Sequence, residues 1–377
     1  MPQAAVVIVG AGAAGLSAAG ALRQQGIDAV LLEQDSAIGG TWARRYDRLH
    51  LHTVRAYSGL AHYPIPRTYP KYLARDDYVA YLAEYAQHFA LRIVTDWSVR
   101  TIRVVQGAPL RWQLAGVRDD WQARVVIVAS GQYRVPRLPL LPGLESYAGA
   151  FTHSVTYRNA STYAGKRVLV VGLGNSGAEI ATDLIEHGAS FVAVSVRTPP
   201  PVVPRDPLGN PVQRTSMLLS RLPPRVADRL AQLTARLIFG DLRRHGFPAA
   251  DWRPYSSSQV PVIDVGFVDM LKKGRVQIRP ALLRLTATEA VFADGRAESF
   301  DAIIAATGFG SGLDALIEPS TLLNADGEPV ADSGEPTASP GLFFIGYTHS
   351  LRGHLFEANL ASRRLASNVG RYLEAAP

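Results

Sequence analysis

Apolar positions along the chain fall into short unbroken runs and longer stretches at helical spacing, and the two kinds alternate. Val6 to Val9 is a run of the first kind. A strand covered on both faces shows no polar alternation, so it reads as a buried strand of a parallel sheet. Ala13 to Gln25 follows at helical spacing, with Leu16, Ala19 and Leu22 on one face and Gly26 as its stop. Ala29 to Leu32 is a second buried strand, ending at Glu33. Asp76 to Phe89 predicts a helix that buries Tyr78, Tyr81, Leu82 and Tyr85, and Arg100–Val105, Arg111–Val117 and Trp121–Val128 predict strands.

The opening pattern then recurs. Arg167 to Val171 is a strand, Ala178 to His187 a helix with Ile180, Leu184 and Ile185 inward and Gly188 as the stop, and Phe191 to Val196 a strand. Pro199 to Pro211 predicts a proline-rich loop. Val226 to Phe239 predicts an amphipathic helix with Val226, Leu230, Leu233 and Leu237 on one stripe. A membrane-surface helix is one reading, but its polar face, with Arg225, Asp228, Arg229 and Arg236, is mixed in charge, so the stripe is expected to pack against its domain. Short strands are expected at Val260–Val265 and Val276–Arg279, alternating ones at Leu283–Val291 and Phe300–Ala306, a buried one at Gly341–Gly346, and a last helix at Leu355–Tyr372. Strands alternating with helices make the fold class α/β.

The two repeats share a turn. Gly10-Ala11-Gly12-Ala13-Ala14-Gly15 joins the first strand to its helix, and Gly172-Leu173-Gly174-Asn175-Ser176-Gly177 does so in the second. In a G-x-G-x-x-G turn the first glycine permits the bend, the second lets a pyrophosphate approach the backbone, and the third lets helix and sheet pack closely. Free N–H groups at the helix start then face the anion. Glu33, about 20 residues past the first turn, suits a ribose hydroxyl; the second unit has Arg197 there, which suits a 2′-phosphate. The first turn is therefore expected to hold FAD and the second NADPH, with Gly40, Thr41 and Trp42 lying over the flavin end. The architecture expected is two Rossmann-like dinucleotide-binding domains. The FAD-binding one is discontinuous, residues 1–145 and 286–377, and the NADPH-binding one is inserted as residues 146–285. Pro136 to Pro142 is a proline-dense connector at the first boundary.

Composition narrows the chemistry. Among 377 residues there is no cysteine, which excludes disulfides, thiolate metal sites and redox-active cysteine pairs. The nine histidines show no metal spacing, so no metal is expected. The net charge of +7 comes from scattered arginines, and no basic helix with interleaved aromatics suggests nucleic acid. No run approaches the roughly 20 apolar residues of a membrane span, and no leader pattern opens the chain, so a cytoplasmic protein without membrane insertion is expected. A homodimer is left open.

On these and further motifs the chain resembles the class B flavoprotein monooxygenases, and within them the YUCCA-type branch. Tyr147-x-Gly149-x-x-x-His153-Ser154-x-x-Tyr157 fits the family's linker signature, and Gly172 to Gly177 with Glu179 fits its NADPH site. Val203–Asp206, Arg236–Asp241 and Pro261–Gly266 read like YUCCA segments in the same order, and Ala306-Thr307-Gly308 matches the family's second FAD motif. The resemblance implies a single-component enzyme that passes hydride from NADPH to FAD and forms a flavin C4a-(hydro)peroxide. One oxygen atom then goes from dioxygen to a small organic substrate. N- or S-oxidation and oxidative decarboxylation of a 2-oxo acid both remain open. The linker ends in Tyr157 where Baeyer-Villiger relatives have tryptophan, which weighs against that activity, and the first A-T-G-like turn is Ala129-Ser130-Gly131. His52 falls where many relatives carry an asparagine that supports the oxygenated flavin. It is thus a catalytic candidate, and equally a loop packing residue. From His349 to Asn359 the chain departs from the plant sequences. The competing readings are an NADPH-dependent flavin reductase or electron-transfer enzyme without oxygen insertion and, from another class, a non-catalytic nucleotide sensor.

Arg197→Ala is expected to raise the KM for NADPH by about ten-fold or more, the scale of a lost charge-assisted hydrogen bond, and to leave NADH use nearly unchanged. Steady-state kinetics with both nucleotides reads this, and equal losses would remove Arg197 from the 2′-phosphate.

Overall fold

The computed structural model describes residues 1–105, 111–257, 260–318 and 320–375. They form two compact units, one made of Met1–Ala43, Thr53–Val135 and Phe309–Pro377, the other of Arg44–His52 and Pro136–Gly308.

The first unit is built on four parallel strands in the spatial order Arg92–Val94, Ala29–Leu32, Gln3–Val9 and Trp121–Val128. Val6, Val7 and Ile8 are fully buried, as an unbroken apolar run requires. The last of these strands divides its pairing. Its first half takes the antiparallel hairpin Val99–Val104 and Trp112–Gly116, and its second half takes the C-terminal strand Leu342–Phe344 in parallel. The helix Ala13–Gln24 lies beside the C-terminal helix His354–Ala375, where the Ser362 hydroxyl meets that of Ser17 at 2.8 Å. The helix Arg75–His88 buries Tyr78, Tyr81, Leu82 and Tyr85, the face that its spacing predicts. The Tyr85 ring fits only because Gly20 has no side chain: a Cβ there would lie 2.0 Å from the Tyr85 oxygen. Gly40–Ala43, the segment expected over the flavin end, is a single helical turn.

The second unit has a five-stranded parallel sheet in the order Val276–Arg279, Phe191–Ser195, Arg167–Val171, Ala302–Ala305 and Ala150–His153. This moves the expected boundary. The chain was expected to return to the first domain at residue 286, but Ala302–Ala305 is an inner strand here, with Ile304 opposite Val170 on one side and Thr152 on the other. Residues 286–308 therefore stay with the second unit, as do 136–145 and 44–52. Leu283–Val291, expected as one alternating segment, is two strands of a three-stranded antiparallel sheet. Part of the expected proline loop is also a strand, Val202–Pro204, paired in parallel with Val262–Asp264.

The helix Pro224–Phe239 departs furthest from expectation. It forms, but its leucine stripe does not pack against the domain. Val226, Leu230, Leu233 and Leu237 are exposed, Leu237 at 77%, and the buried positions are Ala227, Asp228 and Ala235. The reason is polar. The Asp228 carboxylate accepts from the Tyr255 backbone N–H at 2.8 Å and from the Ser256 hydroxyl, and small alanines on the same face let the helix sit close.

Asp228→Ala is expected to cost about 1–3 kcal/mol by removing the charged acceptor that both donors share. Leu233→Ala, on the solvent face, should stay within about 0.5 kcal/mol. Denaturant midpoints separate the two, and the reverse ranking would contradict the observed orientation of the helix.

Candidate active site

The two glycine turns are near duplicates in geometry. Gly10 has φ +101° and Gly172 φ +100°, a left-handed bend closed to ordinary side chains. Each presses on a carbonyl of the adjacent strand end: a Cβ on Gly10 would lie 2.7 Å from the Ala129 oxygen, and one on Gly172 would lie 2.6 Å from that of Ala306. Gly15 and Gly177 are packed against the bend itself, at 2.0 Å and 2.1 Å from the Gly10 and Gly172 oxygens by the same measure. Gly12 and Gly174 face open space, with nothing within 4 Å of a Cβ. Each turn is thus a rigid bend that leaves backbone accessible at a helix N-terminus, a shape that fits the pyrophosphate of a dinucleotide.

At the first turn, Glu33 is buried. Its Oε2 accepts from the Ala11 N–H at 2.7 Å and its Oε1 from the Asp35 N–H at 3.0 Å, and a carboxylate has further lone pairs to accept from a ribose hydroxyl. Ala14 meets the C-terminal segment here, because a Cβ on Gly346 would lie 2.8 Å from the Ala14 methyl. Gly40 opens its single helical turn with Thr41 exposed, and Trp42 stands edge-on to Tyr78 at 4.8 Å. Ser130 meets the hydroxyl of Tyr347 at 2.9 Å, and burial pushes that phenol up to about 12. Among the described residues, the buried amide oxygen of Gln132 has no hydrogen-bond partner.

Thr307 and Gly308, expected in the family's second FAD motif, lie instead beside the second turn, directly after the Ala306 carbonyl on which Gly172 rests. Ala129-Ser130-Gly131 occupies the corresponding place beside Gly10, so the two A-T-G-like segments serve one turn each. Asn175 is occupied structurally: its Oδ1 accepts from the Ile263 N–H at 2.7 Å and its amide donates to the Pro261 carbonyl at 3.3 Å. Its neighbour Ser176 hydrogen-bonds Tyr46, whose hydroxyl burial and the Glu179 charge hold well above its ordinary value. Arg197 is exposed just past the strand Phe191–Ser195.

His52 sits in the second unit, with Nε2 2.6 Å from Oε1 of Glu179, a carboxylate only 3% exposed on the helix that follows Gly174. The pair anchors the excursion Arg44–His52, together with the contact of Arg48 to Glu186 and that of Tyr46 to Glu179. The linker signature is anchored too. His153 Nε2 is 3.2 Å from the Gly308 carbonyl, and the Tyr157 hydroxyl donates to Asp183 Oδ2 at 2.6 Å. Sequence reading missed Tyr46, Gln132, Tyr347 and His354. Glu179 was visible in its motif, whereas the others belong to no local pattern.

The flavin-binding monooxygenase-like family model matches residues 3–324. The chain belongs to that family. It is similar to indole-3-pyruvate monooxygenase YUCCA6 of Arabidopsis thaliana, with 33% identity over 96% of this chain and 89% of that protein. It is also similar to indole-3-pyruvate monooxygenase YUCCA1 of Oryza sativa subsp. japonica, with 36% identity over 92% and 84%. Among solved structures, a flavin-containing monooxygenase from Stenotrophomonas maltophilia aligns with a TM-score of 0.75 and 26% identity, over 99% of this chain and 100% of that one. The protein is therefore a flavin-dependent monooxygenase of class B with YUCCA-like resemblance. Among the described residues, no helix is long and apolar enough to cross a membrane.

One titration near the first turn has a consequence for stability. His354 donates from Nδ1 to the Thr348 carbonyl at 3.0 Å and accepts from the Tyr133 hydroxyl at Nε2, 2.9 Å away. Burial holds this imidazole below its ordinary value of 6.5. The unfolded chain then binds the proton first, so the stability from neutral His354 is complete above 6.5 and is lost as pH falls below it. Denaturation midpoints should drop on acidification from that value, and His354→Gln should flatten part of the drop; an unchanged slope would place the titration elsewhere.

Proposed function

We propose that this enzyme carries out the NADPH-dependent oxidative decarboxylation of a 2-oxo acid with an aromatic side chain, of the indole-3-pyruvate kind. The observation that carries the reading is the 33–36% identity to indole-3-pyruvate monooxygenases over at least 92% of the chain. In balance, the 2-oxo acid, O2, NADPH and a proton give the acid one carbon shorter, CO2, NADP+ and water. The flavin, when bound, accepts the hydride and activates dioxygen, as flavins do in such enzymes.

The chain's own residues bind and orient. In this reading Gly10, Gly12, Ala14 and Gly15 seat the FAD pyrophosphate at the first helix N-terminus, Glu33 accepts from its ribose, and Gly40, Thr41 and Trp42 border the flavin. Gly172, Gly174, Asn175, Ser176 and Gly177 seat NADPH, with Asn175 holding the turn in shape through Pro261 and Ile263. Arg197 takes the 2′-phosphate, and Thr307 and Gly308 complete the second cradle. His52 acts as a positioning residue through Glu179, on the helix that presents the second cradle.

The test offers FAD-loaded enzyme NADPH and oxygen with indole-3-pyruvate, a tertiary amine or a thioether, and follows oxygen uptake, CO2 and products. One CO2 per NADPH with the 2-oxo acid supports the reading. Oxygenation of the amine or thioether alone would change the substrate class, and NADPH oxidation that yields only hydrogen peroxide would make the protein a reductase. In parallel, Gly12→Ala should purify without bound flavin, whereas Gly174→Ala should keep its flavin and lose affinity for NADPH. The opposite pattern would exchange the two cradles.

A further inference from the structure

The solvent face of the helix Pro224–Phe239 is an apolar stripe with a border of one charge. Val226, Leu230, Leu233 and Leu237 recur at intervals of three and four along 16 residues, about 24 Å of helix, and Leu222 extends the stripe just before it. All five are exposed. Arg225, Arg229 and Arg236 fall together on one flank by their spacing and are exposed as well. Among the described residues, none of the three is ion-paired with a carboxylate. The helix carries one acid, Asp228, and it is turned inward onto Tyr255 and Ser256. Its solvent-facing charge is therefore purely positive, which the helix's composition alone conceals.

We propose that this face docks the enzyme on an anionic lipid surface, with the helix lying in the plane of the interface and not crossing it. An interfacial helix needs a narrow apolar stripe that sinks to the acyl boundary and basic residues beside it at headgroup level, and this helix presents both. Fixed by Asp228 and its alanines, it is preformed and pays no ordering cost on binding. A second copy of the chain fits less well: an antiparallel two-fold pairing of the stripes would set the arginine flank against itself, and like charges at an interface are costly. The proposal is independent of the substrate assignment, because the helix is argued from its exposure and charge alone.

The experiment uses FAD-loaded enzyme and phosphatidylcholine vesicles with or without phosphatidylglycerol, read by sedimentation. Wild-type enzyme should pellet with the anionic vesicles and be released by salt. Leu233→Glu with Leu237→Glu, and separately Arg225→Glu with Arg229→Glu, should each weaken partitioning by about ten-fold or more. All four positions are exposed, so flavin content and NADPH oxidation should match wild type and certify the fold. No pelleting of the wild-type protein, or pelleting that neither double variant changes, would overturn the proposal. So would lipid-free self-association, seen in sedimentation velocity and abolished by the leucine variants, without vesicle binding.

Discussion

The steric constraint at the two strand-to-helix bends governs the rest of the structure. Each bend brings a glycine within contact of a neighbouring strand's last carbonyl, Gly10 on Ala129 and Gly172 on Ala306, and then packs a third glycine against the bend itself. No side chain fits at either contact, and a helix that starts so close to its sheet leaves its first N–H groups free and undiluted by side chains. The cradle is a by-product of close packing. The parallel sheets, the burial of Val6–Ile8 and Val168–Val170, and the placement of the helices follow from holding those bends rigid.

Each bend needs a strand end behind it, and the chain supplies both by late returns. Trp121–Val128 delivers Ala129 to the first turn, and Ala302–Ala305 delivers Ala306 to the second. The second return comes about 130 residues after its turn, so the unit closes only when most of it has been made. Buried polar groups then fix what apolar packing leaves free. Glu33 ties its strand end to the first turn, Asn175 ties residues 261–263 to the second, and Tyr157 ties the linker to Asp183. Each of these groups is satisfied by a specific partner, which is why each sets a position where an apolar contact would tolerate sliding.

The amphipathic helix Pro224–Phe239 shows how a polar anchor can override hydrophobic patterning. Burying its leucines would have been favourable in isolation, yet the buried carboxylate of Asp228, bonded to a backbone N–H and a hydroxyl, and two flush alanines hold the opposite face inward. The leucines and arginines of the outer face are left exposed.

Much of the molecule was legible from local pattern. The unbroken apolar runs marked the parallel strands, the 3.6-residue spacing marked the helices and the buried tyrosines, and the glycine spacing marked both cradles, because sterics at a single bend are a local matter. Tertiary structure alone decided three things. It assigned residues 286–308 to the second unit, since strand pairing with Val168–Val171 is set by partners about 130 residues away. It brought His52 to Glu179 and Tyr133 to His354, pairs separated by 127 and 221 residues that share no motif. It also turned the leucine stripe of residues 226–237 outward, because periodicity reveals that a helix has two faces while only the partners of Asp228 settle which one is buried.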